Sequence, residues 1–161
     1  MTAETKRIDI TLETSLESVA LAEDMSLRVA TAAGFGDDEC HRIGMSVREG
    51  VINAFHYGNS ANREKKIHLA FELTPEKMVI RVLDEGRGFD LTEVPDPLAE
   101  ENLLKTSGRG IFLMRAFMDE FDVARGPQGG AEIIMAKRFP PARQSNPQST
   151  GGSSSTVGKE E

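Results

Sequence analysis

Three short stretches of this 161-residue chain combine residue types that could do chemistry. The first is Glu49-Gly50-Val51-Ile52-Asn53-Ala54. In a helix successive residues turn by about 100°, so positions four apart are offset by only about 40°. Glu49 and Asn53 would then share a face, with Arg42, Ser46 and His56 nearby and Ile43, Val47, Val51, Ala54 and Phe55 forming an apolar stripe opposite. An amide oxygen suits Mg²⁺, a hard cation that takes oxygen ligands. A carboxylate one turn away could accept the proton of an attacking hydroxyl. A polar helix face in water would carry the same residues.

The second stretch is Asp84-Glu85-Gly86-Arg87-Gly88-Phe89, directly after an apolar run. A carboxylate at a strand end can accept a hydrogen bond from an exocyclic amine such as that of adenine. Glycines at 86 and 88 remove side chains where a flat base or a phosphate must approach the backbone. A Gly-rich turn leaving a strand reads the same way, and the Gly-x-Gly-x-x-Gly spacing of a dinucleotide fold is absent. The third stretch is Lys105-Thr106-Ser107-Gly108-Arg109-Gly110-Ile111-Phe112. A helix beginning here would present unpaired N–H groups and partial positive charge to a triphosphate, with Lys105 and Arg109 adding charge. It lacks the order of a P-loop, and a Gly-flanked helix start with solvated cations is the plainer alternative.

The elements that must position these stretches follow from periodicity. Lys6 to Glu13 alternates apolar and polar residues as a half-buried strand does, and Ser15 to Ala33 has helical spacing with Gly34 as its stop. A second helix is predicted from Asp37 to about Tyr57, ending at Gly58-Asn59. Ile67–Leu73 and Met78–Val82 form a hairpin around Thr74-Pro75-Glu76. Residues 85–107 lack periodicity, and a connection of that length in a compact domain is usually a functional lid or disordered. A helix from about Gly110 to Asp119 and two strands, Phe121 to Ala124 and Ala131 to Phe139, complete the set. The order β-α-α-β-β-lid-α-β-β predicts an α+β two-layer sandwich, with a mixed, mainly antiparallel sheet covered on one face by helices.

Composition bounds the function. The 19 Lys and Arg against 26 Asp and Glu give a formal charge of −7, which disfavours direct nucleic-acid binding. The single Cys40 forms no intrachain disulfide, and no Cys/His cluster has zinc spacing. No apolar run is long enough to span a membrane, and the N-terminus has no signal-like apolar segment. The expectation is a cytoplasmic protein with one domain over residues 1–139. Residues 140–161, rich in Pro, Gly, Ser, Gln and Thr, are expected to be a disordered polar tail.

The order of the three stretches resembles the N, G1 and G2 boxes of the GHKL ATPase superfamily, whose ATP site is of the Bergerat type. Within it the chain is similar to the bacterial anti-sigma-factor serine/threonine kinases (RsbW type), over about residues 6–139. The most family-specific run is Ser107 to Glu120, ending in Met118-Asp119-Glu120. The resemblance implies ATP and Mg²⁺ as cofactors, with Asn53 on the metal and Glu49 as general base toward a protein serine or threonine. It implies that Asp84 binds the adenine amine, that Gly86 and Gly88 shape the base pocket, and that Lys105, Thr106, Ser107, Gly108, Arg109 and Gly110 contact phosphates as a lid over residues 90–107 closes. It also implies a homodimer, a sigma factor as the sequestered partner, and a STAS-domain antagonist as the substrate. One departure stands out: many superfamily members carry a Thr in the last strand that supports the adenine-binding Asp, and Gly130-Ala131-Glu132-Ile133 offers none.

Two other functions compete. A histidine-kinase-type catalytic domain usually carries an amide where Glu49 stands, and none of His41, His56 and His68 heads a dimerisation hairpin; surface or hydrogen-bonded roles suit them better. A nucleotide-binding module that holds a partner without phosphoryl transfer would not need Glu49.

Overall fold

In a computed structural model, residues 4–86 and 106–141 are described. β1 (Lys6–Glu13) leads into α1 (Leu16–Ala33) and α2 (Asp37–Asn53), and α2 continues into a π-helical turn, Ala54–Gly58. The hairpin β2 (Lys66–Leu73) and β3 (Lys77–Leu83) follows, then α3 (Thr106–Phe117), β4 (Glu120–Arg125) and β5 (Ala131–Arg138). The five strands are ordered β1-β2-β3-β5-β4, and every neighbouring pair is antiparallel. The sheet is thus wholly antiparallel, where the sequence allowed a mixed one.

Local signals account for the element ends. Ser15 caps α1, its Oγ accepting from the Ser18 N–H at 3.3 Å. Gly34 stops α1 in the left-handed region at φ 97°, where only glycine sits without a Cβ penalty. In the hairpin the Thr74 Oγ1 accepts from the Lys77 N–H at 3.0 Å and donates to its carbonyl oxygen, also at 3.0 Å. The Met-Asp-Glu run has a structural use. Asp119 Oδ2 accepts from the Arg138 N–H at 2.7 Å, while Glu120 pairs with Lys77 at 2.7 Å, so together they fasten the end of α3 and the start of β4 onto the sheet. Lys137, nearly buried, donates to the Phe117 carbonyl oxygen at 2.8 Å and so caps the C-terminal end of α3 with a cation.

Two helix ends differ from their expected places. The α-helical geometry of α2 stops at Asn53, and the last residues to Gly58 widen into a π turn, with the Asn59 N–H donating to the Ala54 carbonyl oxygen at 2.8 Å. Single π turns of this kind occur frequently at functional sites. α3 begins at Thr106 rather than Gly110, so Gly108 and Arg109 belong to its first turn and Gly110 lies past it. The reason is that glycine costs a helix only about 1 kcal/mol per residue, which tertiary packing overrides. The expected lid falls outside the described residues except for Thr106 and Ser107, and the expected tail falls outside them except for Pro140 and Pro141.

One core lies between sheet and helices. Ile67, Leu69 and Phe71 of β2, Met78, Ile80 and Val82 of β3, and Ile133 and Met135 of β5 face Ile43, Val47 and Val51 of α2. Met114 and Met118 join this core, whereas Leu113 and Phe117 are half-buried and Phe112 is exposed. α2 is the central helix: it packs on both α1 and α3 and lies over β3, the middle strand. The seat is a glycine, since a Cβ at Gly50 would come within 3.3 Å of Val82 Cγ2 and 3.7 Å of Met114 Sδ. Gly44 plays the same part toward Leu27 of α1, at 3.0 Å. Replacing Gly50 by leucine overpacks this contact and should destabilise the fold by about 1–3 kcal/mol. Urea denaturation would show it as a midpoint lowered by about 1 M at unchanged slope.

Candidate functional site

Because α2 is pinned over the central strand, its polar side is carried to α3 rather than to water. Asn53 is buried at 7% exposure and Glu49 is half-buried. A Cβ on Gly110 would stand 3.0 Å from Glu49 Oε2 and 3.5 Å from Asn53 Oδ1, so α3 approaches the acid–amide pair at a residue without a side chain. Burial pushes the Glu49 carboxyl above its ordinary range, and the charge of Arg48 partly offsets the effect. The other residues expected on this face have different fates. Ser46 is wholly buried, its hydroxyl without a hydrogen-bond partner among the described residues, Arg42 lies 5.9 Å over the Phe117 ring, and His56 is exposed beyond the start of the π turn.

The π turn connects this pair to a second carboxylate. Asp84 leaves β3 buried at 6% exposure. Its Oδ1 accepts from the Gly86 N–H at 2.9 Å and the Ala131 N–H at 3.1 Å. Oδ2 has no hydrogen-bond donor among the described residues. Burial pushes the Asp84 carboxyl up, while the two backbone donors and the charge of Lys65 pull it back. Three glycines crowd around it: a Cβ on Gly58 would overlap the Asp84 carboxylate, one on Gly130 would overlap the Asp84 carbonyl oxygen, and one on Gly86 would overlap the Gly58 carbonyl oxygen. The absent last-strand Thr therefore leaves Asp84 supported on that side by the backbone of Ala131.

The structure brings together Glu49, Asn53 and Gly110 at one end of the site, and Asp84 and Gly86 at the other. Gly108 and Arg109 follow in the first turn of α3, where N–H groups lack helical partners. Thr106 and Ser107 open the same helix. Gly88 and Lys105 lie outside the described residues. Gly58, Gly130 and Asn59 were not among the expected site residues. Gly58-Asn59 is legible only as a helix stop, and Gly130 only as part of the last-strand run that lacks a Thr. Of the histidines, His41 and His56 are exposed and His68 pairs with Glu85 at 2.9 Å.

The donors fit a nucleotide and a hard cation. Asn53 offers an amide with no hydrogen-bond partner among the described residues, next to a carboxylate and facing a gap left by glycine. Asp84 offers one oxygen with two N–H donors and one with no donor among the described residues. The profile of the histidine kinase-like ATPase domain matches residues 12–137, which include all the site residues. The chain belongs to this family. As a histidine kinase-like ATPase domain it uses ATP.

Named relatives of this domain lie close. The chain is 32% identical over 135 residues to a protein of Bacillus subtilis (strain 168) named anti-sigma F factor, a match covering 79% of this chain and 92% of that protein. It is 30% identical over 137 residues to the serine-protein kinase RsbW of Staphylococcus epidermidis, covering 81% of this chain and 85% of that one. In fold it is similar to the crystal structure of the RsbU and RsbW domains from Mycobacterium tuberculosis, with a TM-score of 0.59 at 18% identity over 86% of this chain. This chain spans about a third of that longer one, 34%. Among the described residues no helix is long and apolar enough to cross a membrane.

Two outcomes follow from this geometry. A carboxyl whose folded-state pKa is raised stabilises the fold only at low pH, and that contribution is lost as pH rises through the folded value. Glu49→Gln should therefore unfold at a higher denaturant midpoint than the native chain at pH 7.5, and the gain should vanish below the ordinary carboxylate range. Gly58→Ala should displace the Asp84 carboxylate and weaken ATP binding about tenfold or more, the effect of one hydrogen bond to a charged group, as titration calorimetry would read.

Proposed function

We propose that this chain is an ATP-dependent protein serine/threonine kinase acting as an anti-sigma factor. It phosphorylates a STAS-domain antagonist on a serine or threonine and sequesters a sigma factor when the antagonist is absent or phosphorylated. The observation that carries the reading is Glu49, a carboxylate with a raised pKa, one turn from Asn53 and facing the glycine gap of α3. A binding-only module has no use for it, and a histidine kinase usually has an amide there. The names of relatives around 30% identical over most of their length, anti-sigma F factor and serine-protein kinase RsbW, support the same reading.

The residues divide the work. Asp84 Oδ2 accepts a hydrogen bond from the adenine amine, and Gly86 and Gly88 leave room for the base. Asn53 Oδ1 is a ligand for Mg²⁺, which when bound neutralises phosphate charge. Lys105, Thr106, Ser107, Gly108, Arg109 and Gly110 line the phosphates, with the first-turn N–H groups of α3 supplying donors. Glu49 accepts the proton of the attacking hydroxyl. Phosphoryl transfer depends mainly on such positioning and charge neutralisation. The raised pKa brings Glu49 closer to the pH at which it must accept a proton, as general bases require. The kinase works in the cytoplasm as a homodimer.

The test is transfer of radiolabelled phosphate from Mg·ATP to STAS-domain proteins, with native chain and Glu49→Gln side by side. Loss of the base should lower the rate by about 10²–10⁴ while leaving ATP affinity unchanged. The native rate should rise with pH through a value above the ordinary carboxylate range. Undiminished transfer by Glu49→Gln would refute the assignment of the base, and ATP binding without transfer to any STAS protein would refute the kinase.

A further inference from the structure

Asn59 stands immediately after the π turn and is fully buried, at 0% exposure. A buried amide must have its hydrogen bonds met, and here each group has a partner. Oδ1 accepts from the Glu85 N–H at 2.8 Å. Nδ2 donates to Thr14 Oγ1 at 2.8 Å and to the Lys66 carbonyl oxygen at 3.0 Å. The Thr14 hydroxyl passes its own proton to the Lys65 carbonyl oxygen at 2.7 Å, so it can only accept from Asn59. The amide has therefore one permitted orientation, with its oxygen on the Glu85 N–H.

That N–H lies in the peptide joining Asp84 to Glu85, between the carboxylate and Gly86. On the other side Asp84 is tied to β5: its N–H donates to the Ala131 carbonyl oxygen at 3.1 Å, and Oδ1 accepts from the Ala131 N–H at 3.1 Å. Asn59 supplies the opposing tie. The chain turns just after it, with Ser60 and Ala61 in the left-handed region at φ 49° and 55°, a costly conformation for residues with a Cβ that surrounding contacts must hold. The Ala61 N–H donates to the Phe55 carbonyl oxygen at 2.8 Å, closing the loop back onto the π turn.

We infer that Asn59 is the positioning residue for base recognition: by holding the Asp84–Glu85 peptide against the end of α2, it sets the direction of Asp84 Oδ2 and so the discrimination in favour of a 6-amino purine. The inference rests on the reading of Asp84 as the base-binding carboxylate. Asn59 touches no nucleotide, so its substitution acts on the preference between bases and not on the phosphate end at Glu49 and Asn53.

The test compares ATP with purine riboside triphosphate, which lacks the 6-amino group, in titration calorimetry on the full chain. The native chain should favour ATP by about tenfold or more, the range of a hydrogen bond to a charged group. In Asn59→Ala the preference should fall to about twofold or less, with the affinity for purine riboside triphosphate nearly unchanged. A merely structural role would weaken both nucleotides alike and leave their ratio intact. Asn59→Asp keeps an oxygen toward the Glu85 N–H and loses both Nδ2 donors, so it should melt at a lower temperature yet retain the preference. This variant decides the matter if Asn59→Ala does not fold, since loss of the preference in folded Asn59→Asp would overturn the inference. An unchanged ratio in folded Asn59→Ala would overturn it too while leaving the kinase reading in place. A native chain that binds both nucleotides equally would overturn the underlying role of Asp84.

Discussion

The site depends on one packing contact: α2 lies at Gly50 on the Val82 side chain of β3, close enough that a Cβ would press on it. The closeness of that approach sets where the polar side of the helix can go. With Val47, Val51 and Ile43 committed to the sheet, Glu49 and Asn53 are turned toward α3. The same strand that bears Val82 ends one residue before Asp84. Seating the helix thus registers both carboxylates against one another, and the core that stabilises the fold also aligns the two ends of the candidate site.

Glycine recurs wherever two backbones or a backbone and a carboxylate must meet. Gly110 admits α3 to the acid–amide pair, while Gly58, Gly86 and Gly130 enclose Asp84. None of these four is required by a positive φ; that need arises instead at Gly34 and Gly129. Their common reason is space. Side chains removed at these points let α3 approach Glu49 and Asn53 at Gly110, leave room for the Asp84 carboxylate at Gly58, and let backbones meet at Gly86 and Gly130.

Burial lifts both carboxyls, but their surroundings suit different uses. Asp84 receives two backbone N–H donors, which hold its charge in place and leave one oxygen open, as a group that recognises a donor requires. Glu49 accepts no hydrogen bond from described residues, and only the charge of Arg48 opposes its desolvation, as suits a group that must take up a proton. The outer face of the sheet follows a plainer electrostatic rule. Glu72 joins Arg7 at 2.6 Å to Arg81 at 3.0 Å, and Arg81 reaches Glu132 at 2.9 Å, a half-exposed chain of ion pairs across four strands.

The sequence by itself determined the elements and their order. Period-2 alternation marks β1, β2 and β3, helical spacing marks α1 and α2, and local caps such as Ser15 and Gly34 end them, because these signals act within a few residues. It also made the three candidate stretches legible, since each gathers its residues within a few positions of one another. It misplaced the start of α3 because two glycines argue locally for a boundary that packing overrides. What only the tertiary structure decided are the contacts between stretches distant in the chain. Gly58 against Asp84, Ala131 in place of a last-strand Thr, and Asn59 on the Glu85 N–H join residues 26 to 47 positions apart. No local pattern encodes such pairings, because a buried amide or carboxylate takes its role from whichever backbone groups the folded chain presents to it.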